Sequence, residues 1–305
     1  MSARGVKRAG VIIIGSNSTR MLTATLGQPL IDLVRGRLET KLFLSLTKER
    51  RLDPAAINQL VDAVFLLQQQ ALAAGAEELH LVATSAVRDS TNARQLGRAL
   101  RQETGLALRV LTGQKEAALS FLGAAYPYLD TQDIGVVDIG GGSTEVALGK
   151  ATQLYSLQLG ASRLHLDCPV GDIKASDRAL DTARQVIKAG LRKVIIPPSA
   201  RWLLVGGTGN ALMGLIRGHL PLVSAPDCGF TLSEARETLR LLAGLTHEQR
   251  AMLPGMMPGR EHILPTGLAI LTALMEELRI TDMQVTVRNN TDGYLYQLYQ
   301  HHQKA

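Results

Sequence analysis

The run Val136-Val137-Asp138-Ile139-Gly140-Gly141-Gly142-Ser143-Thr144-Glu145 constrains this chain more than any other stretch, because an apolar strand breaks into three consecutive glycines and then resumes. Three residues without Cβ let backbone N–H groups close around an oxyanion. Asp138 lies at the end of the outgoing strand and Glu145 on the return, so two carboxylates flank the bend and suit a divalent cation or a positioned water. The same pattern also describes a tight hairpin whose acids are simply solvated. A second copy bears on that choice. Val11-Ile12-Ile13-Ile14-Gly15-Ser16-Asn17-Ser18-Thr19-Arg20 aligns without a gap on Val136 through Glu145, and Val11, Ile14, Gly15, Ser18 and Thr19 are identical to their counterparts. One such unit in each half of a 305-residue chain predicts two related domains, each offering a phosphate-binding hairpin to a shared cleft. Chance recurrence of a common glycine and serine grammar is the competing account. The copies differ where chemistry is concerned, since Ile13 stands at the Asp138 position.

A hydrophobic content of 46% supports two cores, and the 4% of aromatic residues makes them aliphatic. The formal net charge of +6 favours polyanionic ligands but is too dispersed for specific nucleic-acid recognition. Cys168 and Cys228 lie far apart without metal-ligand spacing, which reads as two reduced thiols. The basic segment Met1 to Arg8 precedes too short an apolar run for a signal peptide, and no stretch suits a bilayer, so the expectation is a cytoplasmic protein with no membrane partner.

Taken in order, Met21 to Leu26 and Ile31 to Val34 read as strands that make a meander with the first hairpin. Asp53 and Pro54 start a helix that Gly75 stops. The strand Leu79 to Ala83 runs into Thr84-Ser85-Ala86-Val87-Arg88, and Asn92 caps a helix over 93–104; hydroxyls, an arginine and free N–H groups thus gather at one sheet edge. After a strand over 106–111, Thr112-Gly113 opens a helix with Glu116 in its first turn, ending at Gly123. Glu116 there reads equally as a plain acid at a helix start. The second half adds the strand Gln153 to Leu159, the turn Gly160 to Leu164, a helix over 177–193, and the strand Trp202 to Val205. That strand enters Gly206-Gly207-Thr208-Gly209-Asn210, either a phosphate-binding turn or a site of close packing. Thr231 with Glu234 and Thr246 with Gln249 form capping boxes. A helix over 266–278, a strand over 284–287 and a last helix from Asp292 complete the chain. His262 reads as a loop histidine with no ligand partner at suitable spacing.

Together these stretches resemble the exopolyphosphatase and guanosine pentaphosphate phosphohydrolase (Ppx/GppA) family, a branch of the actin, Hsp70 and sugar-kinase superfold. The resemblance rests on Gly15 to Ser18, Ala83 to Arg88 with Asn92, Thr112 to Ala117, Asp138 to Glu145, Leu159 to Leu164, Gly206 to Thr208 and Arg260 to Gly267, in family order across the chain. It implies an α/β fold of two actin-like (ribonuclease H-like) domains with an interdomain cleft, residues 1–126 and 127–305, with the terminal helix able to fold back on the first. It implies Glu116 as general base and Asp138 and Glu145 as catalytic acids that hold Mg²⁺ or Mn²⁺. It implies phosphate binding by Ser16, Asn17, Ser18, Ser85, Arg88, Gly140, Gly141, Gly142, Ser143, Gly207 and Thr208. A phosphoanhydride repels hydroxide, so cleavage needs donors on the phosphoryl oxygens, a cation and a carboxylate aimed at water, and these residues supply each.

The implied activity is release of terminal phosphate from inorganic polyphosphate. Alternatives are hydrolysis of guanosine pentaphosphate, or a catalytically weakened protein that only binds polyphosphate or guanosine penta- and tetraphosphate; a homodimer is common among relatives. The departures are Ile13 for an aspartate, Lys115 for an acid beside Glu116, His262 for an aspartate, Thr291-Asp292-Gly293 for Arg-Glu-Gly, and a segment from Lys41 to Leu52 without the family's glycines.

Overall fold

The structure is a computed structural model that describes residues 7–128, 133–197, 200–220 and 228–304, with the Cys228 side chain outside the description. Most of the basic N-terminal segment read above, Met1 to Val6, also lies outside it. The chain divides into two compact units, Met1–Gly123 with Asn290–Ala305, and Ala124–Asn289. Each has its own aliphatic core. In the first, only Phe43 is aromatic among the buried cluster residues, and in the second only Trp202 and Phe230.

The first unit runs β1 (Arg8–Ile14), β2 (Ser18–Thr25), β3 (Ile31–Glu39), α1 (Pro54–Ala73), β4 (Glu78–Ala83), α2 (Ser85–Arg88), α3 (Ala93–Thr104), β5 (Leu108–Val110) and α4 (Gly113–Ala125). Its sheet order is β3-β2-β1-β4-β5. The first three strands pair antiparallel as the meander predicts, and β4 and β5 add in parallel. The α1 helix forms where Asp53 accepts the Ala56 N–H at 2.7 Å and Pro54 occupies the first turn, with Ile57, Leu60, Val64 and Leu67 on its buried face.

The second unit runs β6 (Ile134–Ile139), β7 (Thr144–Leu148), β8 (Gln153–Leu157), α5 (Ala161–Asp167), α6 (Ile173–Gly190), β9 (Arg201–Val205), α7 (Gly207–Arg217), β10 (Cys228–Thr231), α8 (Leu232–Ala243), α9 (His247–Ala251), α10 (Leu264–Glu277) and β11 (Asp282–Val285). The final helix, α11 (Asn290–Lys304), belongs to the first unit. The second sheet has the order β10-β11-β9-β6-β7-β8. Reading β8-β7-β6-β9-β11 against β3-β2-β1-β4-β5 gives the same arrangement, a three-stranded antiparallel meander followed by two parallel strands. The internal repeat is therefore a repeat of topology, and the two mixed sheets with their helices are the expected α/β, actin-like class.

Local chemistry explains where the elements differ from expectation. Asn92 does not cap α3 with its side chain; it accepts from the Leu52 N–H at 3.0 Å and donates to the Leu52 carbonyl at 2.8 Å, clamping a segment forty residues away. Gly123 does not stop α4, which continues to Ala125. A Cβ at Gly293 of α11 would overlap the Leu119 carbonyl and lie 3.0 Å from the Gly123 nitrogen, so two helix backbones touch there. That close approach offsets the roughly 0.5–1 kcal/mol a helical glycine costs. The α6 helix begins at Ile173 rather than 177, because Asp172 accepts the Ala175 N–H at 2.7 Å. Both capping boxes form as predicted. The strands expected over 106–111 and 284–287 are β5 and β11, shorter or displaced by two residues, and β10 was not anticipated. Cys168 is a free thiol. No helix among the described residues is long and apolar enough to cross a membrane.

The departure at Thr291-Asp292-Gly293 has a structural role in the first unit. Asp292, 2% exposed, is held by both guanidinium nitrogens of Arg35 on β3, at 3.0 and 2.6 Å. Arg35→Ala removes two charge-assisted hydrogen bonds from a buried carboxylate and is expected to lower unfolding stability by about 2 kcal/mol, less than for a wholly buried pair because Arg35 is partly exposed. Urea unfolding measures this, and an unchanged midpoint would refute it.

Candidate functional site

The two hairpins have the same geometry. Gly15 N–H donates to the Ser18 carbonyl at 3.1 Å and Gly140 N–H to the Ser143 carbonyl at 3.0 Å. A Cβ at Gly15 or Gly140 would press on the same carbonyl, 2.7 and 3.0 Å away, so glycine is required at both turns.

In the first unit the tip is fixed from outside the hairpin. Thr40 and Lys41 N–H groups donate to the Asn17 carbonyl at 3.1 and 2.9 Å, and Phe43 N–H to the Ser16 carbonyl at 2.8 Å. The start of the segment that lacks the family's glycines thus braces the turn. Ser16 and Ser85 share a hydrogen bond of 2.8 Å, which ties the tip to the one-turn helix α2. At the far end of α2, Arg88 donates from Nη1 to the Leu111 carbonyl at 3.0 Å and to Glu116 Oε2 at 3.1 Å. Ser16, Asn17 and Ser18 are each 5% exposed, and Glu116 is 6% exposed. Both polar atoms of Asn17 and the Arg88 Nη2 are buried with no hydrogen-bond partner among the described residues. Buried polar groups ordinarily have partners, so an amide and a guanidinium nitrogen left in this state fit an anionic, oxygen-rich ligand. Lys115 is exposed where Glu116 is buried, because neighbours on a helix do not share a face, so its ammonium sits on the solvent side.

In the second unit the three glycine carbonyls are turned toward α5. Gly140 O accepts from Ala161 N–H at 2.9 Å, Gly141 O from Ser162 and Arg163 N–H at 2.8 and 2.9 Å, and Gly142 O from Arg163 Nε at 2.7 Å. The N–H groups of Gly141, Gly142 and Ser143 make no backbone hydrogen bond among the described residues. With carbonyls taken by α5, these amides are the donors an oxyanion would meet. A Cβ at Gly160 would run into the Gly141 carbonyl and the Gly142 nitrogen. Gly160→Ala is therefore expected to cost about 1–3 kcal/mol by overpacking and to weaken phosphate binding together with stability. Thermal unfolding with and without inorganic polyphosphate checks both effects, and a variant indistinguishable from the parent would refute the close contact.

Asp138 on β6 and Glu145 on β7 are direct cross-strand partners, so their side chains share a sheet face, at 7% and 2% exposure. Glu145 Oε1 accepts from the Ser156 hydroxyl at 2.8 Å. Gly206, at φ 100°, starts the turn after β9, and a Cβ there would lie 3.1 Å from Asp138 Oδ1. At Gly207 a Cβ would overlap the guanidinium of Arg260, which is 5% exposed. Asp138, the Gly206-Gly207-Thr208 turn and Arg260 are thus adjacent. Among the described residues no group of three His, Cys, Asp or Glu side chains suits a metal. Two facing carboxylates still match the ordinary Mg²⁺ arrangement, in which one or two protein acids act with phosphate oxygens and water.

Within the first unit the structure pairs Ser16 with Ser85 and Arg88 with Glu116 at the two ends of α2, with Asn17 and Ser18 on the same turn as Ser16. Within the second it brings together Asp138, Glu145, the glycine hairpin and the Gly207-Thr208 turn. Sequence reading gave Ser156 and Arg260 no role, Ser156 because only strand register places it beside Glu145. His262 is a turn residue, yet its ring lies 5.7 Å from that of His165 and 6.4 Å from that of His247. Burial, with Arg250 nearby, lowers the pKa of His165 below the usual imidazole value.

The model of the Ppx/GppA phosphatase family matches residues 24–302. The chain is 31% identical to exopolyphosphatase 2 of Mycobacterium tuberculosis over 94% of its own length and 97% of that protein. It is 25% identical to a guanosine-5'-triphosphate,3'-diphosphate pyrophosphatase of Aeromonas salmonicida, covering 94% of this chain and 58% of that one. Among solved structures, an exopolyphosphatase of Cytophaga hutchinsonii superposes with a TM-score of 0.84 at 20% identity, covering 97% and 98% of the two chains. An Aquifex aeolicus Ppx/GppA protein superposes with a TM-score of 0.79 at 21% identity, covering 97% and 98%. With two hairpins of one geometry and a match that spans most of the sequence, the chain belongs to the Ppx/GppA phosphatase family.

Proposed function

We propose that this protein is a divalent-metal-dependent phosphohydrolase that removes the terminal phosphate of inorganic polyphosphate. The observation that carries the reading is the Arg88–Glu116 pair, a buried carboxylate anchored by a guanidinium whose second nitrogen is buried with no hydrogen-bond partner among the described residues. In this reading Arg88 Nη2, the Asn17 amide and the hydroxyls of Ser16, Ser18 and Ser85 hold phosphoryl oxygens. Glu116 takes a proton from the attacking water, and the hydrogen bond from Arg88 Nη1 helps to fix that carboxylate. Within the second unit, the Gly141, Gly142 and Ser143 amides and the Gly207-Thr208 turn are donors suited to phosphoryl oxygens that gain charge as an anhydride bond breaks. A Mg²⁺ or Mn²⁺ ion held by Asp138 and Glu145 would supply charge neutralisation that side-chain donors alone do not.

Near-complete coverage of a relative named exopolyphosphatase, against 58% of one named for guanosine pentaphosphate, favours polyphosphate. Release of orthophosphate from polyphosphates of several lengths and from guanosine pentaphosphate, each with Mg²⁺ and with Mn²⁺, is the test. The expected result is turnover of polyphosphate with either metal. Folded protein that releases no phosphate from any of these substrates would overturn the reading. Ligand-induced thermal stabilisation without turnover would instead identify a binding protein.

A further inference from the structure

We propose that Ser156 is a positioning residue: its hydroxyl fixes the carboxylate of Glu145 in the geometry that receives a divalent cation. The inference rests on the reading of Asp138 and Glu145 given under the proposed function and adds a residue to it.

The strand register places the three side chains in one row. Asp138 on β6 is opposite Glu145 on β7, and Glu145 is opposite Ser156 on β8. Residues flanking this row on the same strands, Val137 and Ile139, Val146, and Tyr155 and Leu157, pack into or against the core of the second unit. Alternation along a strand then sends Asp138, Glu145 and Ser156 to the other face. The Ser156 hydroxyl uses that position to donate to Glu145 Oε1 at 2.8 Å. An ionised carboxylate only accepts, and a serine has one proton to give, so the hydroxyl is the donor of this bond.

A glutamate has one more rotatable bond than an aspartate and loses more freedom when it is immobilised by a ligand. Asp138 is confined by its short side chain and by the Gly206 turn against it. Glu145 is the member of the pair that gains from a tether, because ordering it in advance removes a cost otherwise met on cation binding. The duplicated fold shows that the serine is not required by the architecture. In the first unit the corresponding row is Ile13, Arg20 and Arg37, so the Ser156 position is filled by an arginine where the row carries no acid.

The test uses the full chain with Ser156→Ala and Ser156→Thr, after near-ultraviolet circular dichroism shows each folded. Mn²⁺ alone is titrated and the free ion followed by electron paramagnetic resonance. Phosphate release from polyphosphate is then measured against Mn²⁺ concentration and, at saturating Mn²⁺, against polyphosphate. Loss of a hydrogen bond to a charged group predicts that Ser156→Ala weakens Mn²⁺ binding about tenfold and raises the half-saturating Mn²⁺ concentration by a similar factor. The polyphosphate KM at saturating Mn²⁺ stays within about twofold, and Ser156→Thr, which keeps the hydroxyl, restores Mn²⁺ binding to within about twofold. A purely structural role would lower thermal stability without this split and without rescue by threonine. Wild-type Mn²⁺ affinity in Ser156→Ala, or equal loss in both variants, would overturn the proposal while leaving the hydrolase reading intact. A wild-type chain that neither binds Mn²⁺ nor releases phosphate would overturn both.

Discussion

Replacing Glu116 by glutamine is expected to lower kcat for phosphate release by about 10³-fold while leaving the polyphosphate KM within about threefold. The substitution is isosteric, and the amide oxygen can still accept from Arg88 Nη1, which now lies 3.1 Å from Glu116 Oε2. What it removes is basicity toward water. The position is set by contacts that glutamine preserves: Glu116 N–H donates to the Thr112 carbonyl at 3.0 Å in the first turn of α4, and Arg88 is anchored independently on the Leu111 carbonyl. A plain helix-start acid would behave differently, since its loss would change helix stability by a few tenths of a kcal/mol and leave turnover alone. Rate measurements at saturating polyphosphate, with the thermal midpoint recorded on the same samples, separate the two. A variant that retains a tenth or more of wild-type kcat would remove Glu116 from the chemistry.

The features legible in the sequence are those whose causes are local. The glycine that follows each apolar strand fixes a hairpin because a Cβ has no room beneath the turn: at Gly15 it would meet the Ser18 carbonyl and at Gly140 the Ser143 carbonyl. Asp53 with Pro54, and the two capping boxes, are short-range hydrogen bonds that a few adjacent residues specify. Features that depend on distant partners were not legible. Asn92 has the composition of a cap but finds the Leu52 peptide first, and nothing near Asn92 in the chain announces that partner. Gly123 has the composition of a helix stop, yet it lies where α11 crosses α4 at Gly293. His262 meets His165 and His247 through packing of three separate segments, none of which shows ligand spacing. The candidate site divides in the same way: its glycines, acids and Arg88 stand in recognisable motifs, whereas Ser156 enters through register alone.

The row that register reveals also explains why the two halves of a duplicated fold are not interchangeable. In the first unit it reads Val82, Ile13, Arg20, Arg37 across β4, β1, β2 and β3; in the second it reads Val205, Asp138, Glu145, Ser156 across β9, β6, β7 and β8. The backbone is common, but one row carries two arginines and the other carries two acids. Ile13, the departure that most weakens the resemblance to a hydrolase, thus faces Arg20 rather than an acid, and the acidic pair survives intact on the other sheet. Two carboxylates at directly opposed cross-strand positions repel when both are ionised and no cation lies between them. Asp138→Asn should relieve that repulsion and raise the thermal midpoint of metal-free protein slightly. It should also abolish most of the Mn²⁺-induced rise in the midpoint and reduce kcat by about 10²–10³-fold, the scale of several kcal/mol of lost charge stabilisation. The combination of signs is diagnostic, because damage to the fold lowers both the midpoint and the rate, whereas loss of a cation ligand moves them in opposite directions. An Asp138→Asn protein that keeps the full Mn²⁺-induced shift and a rate within tenfold of wild type would show that the acidic row is not where the metal is held.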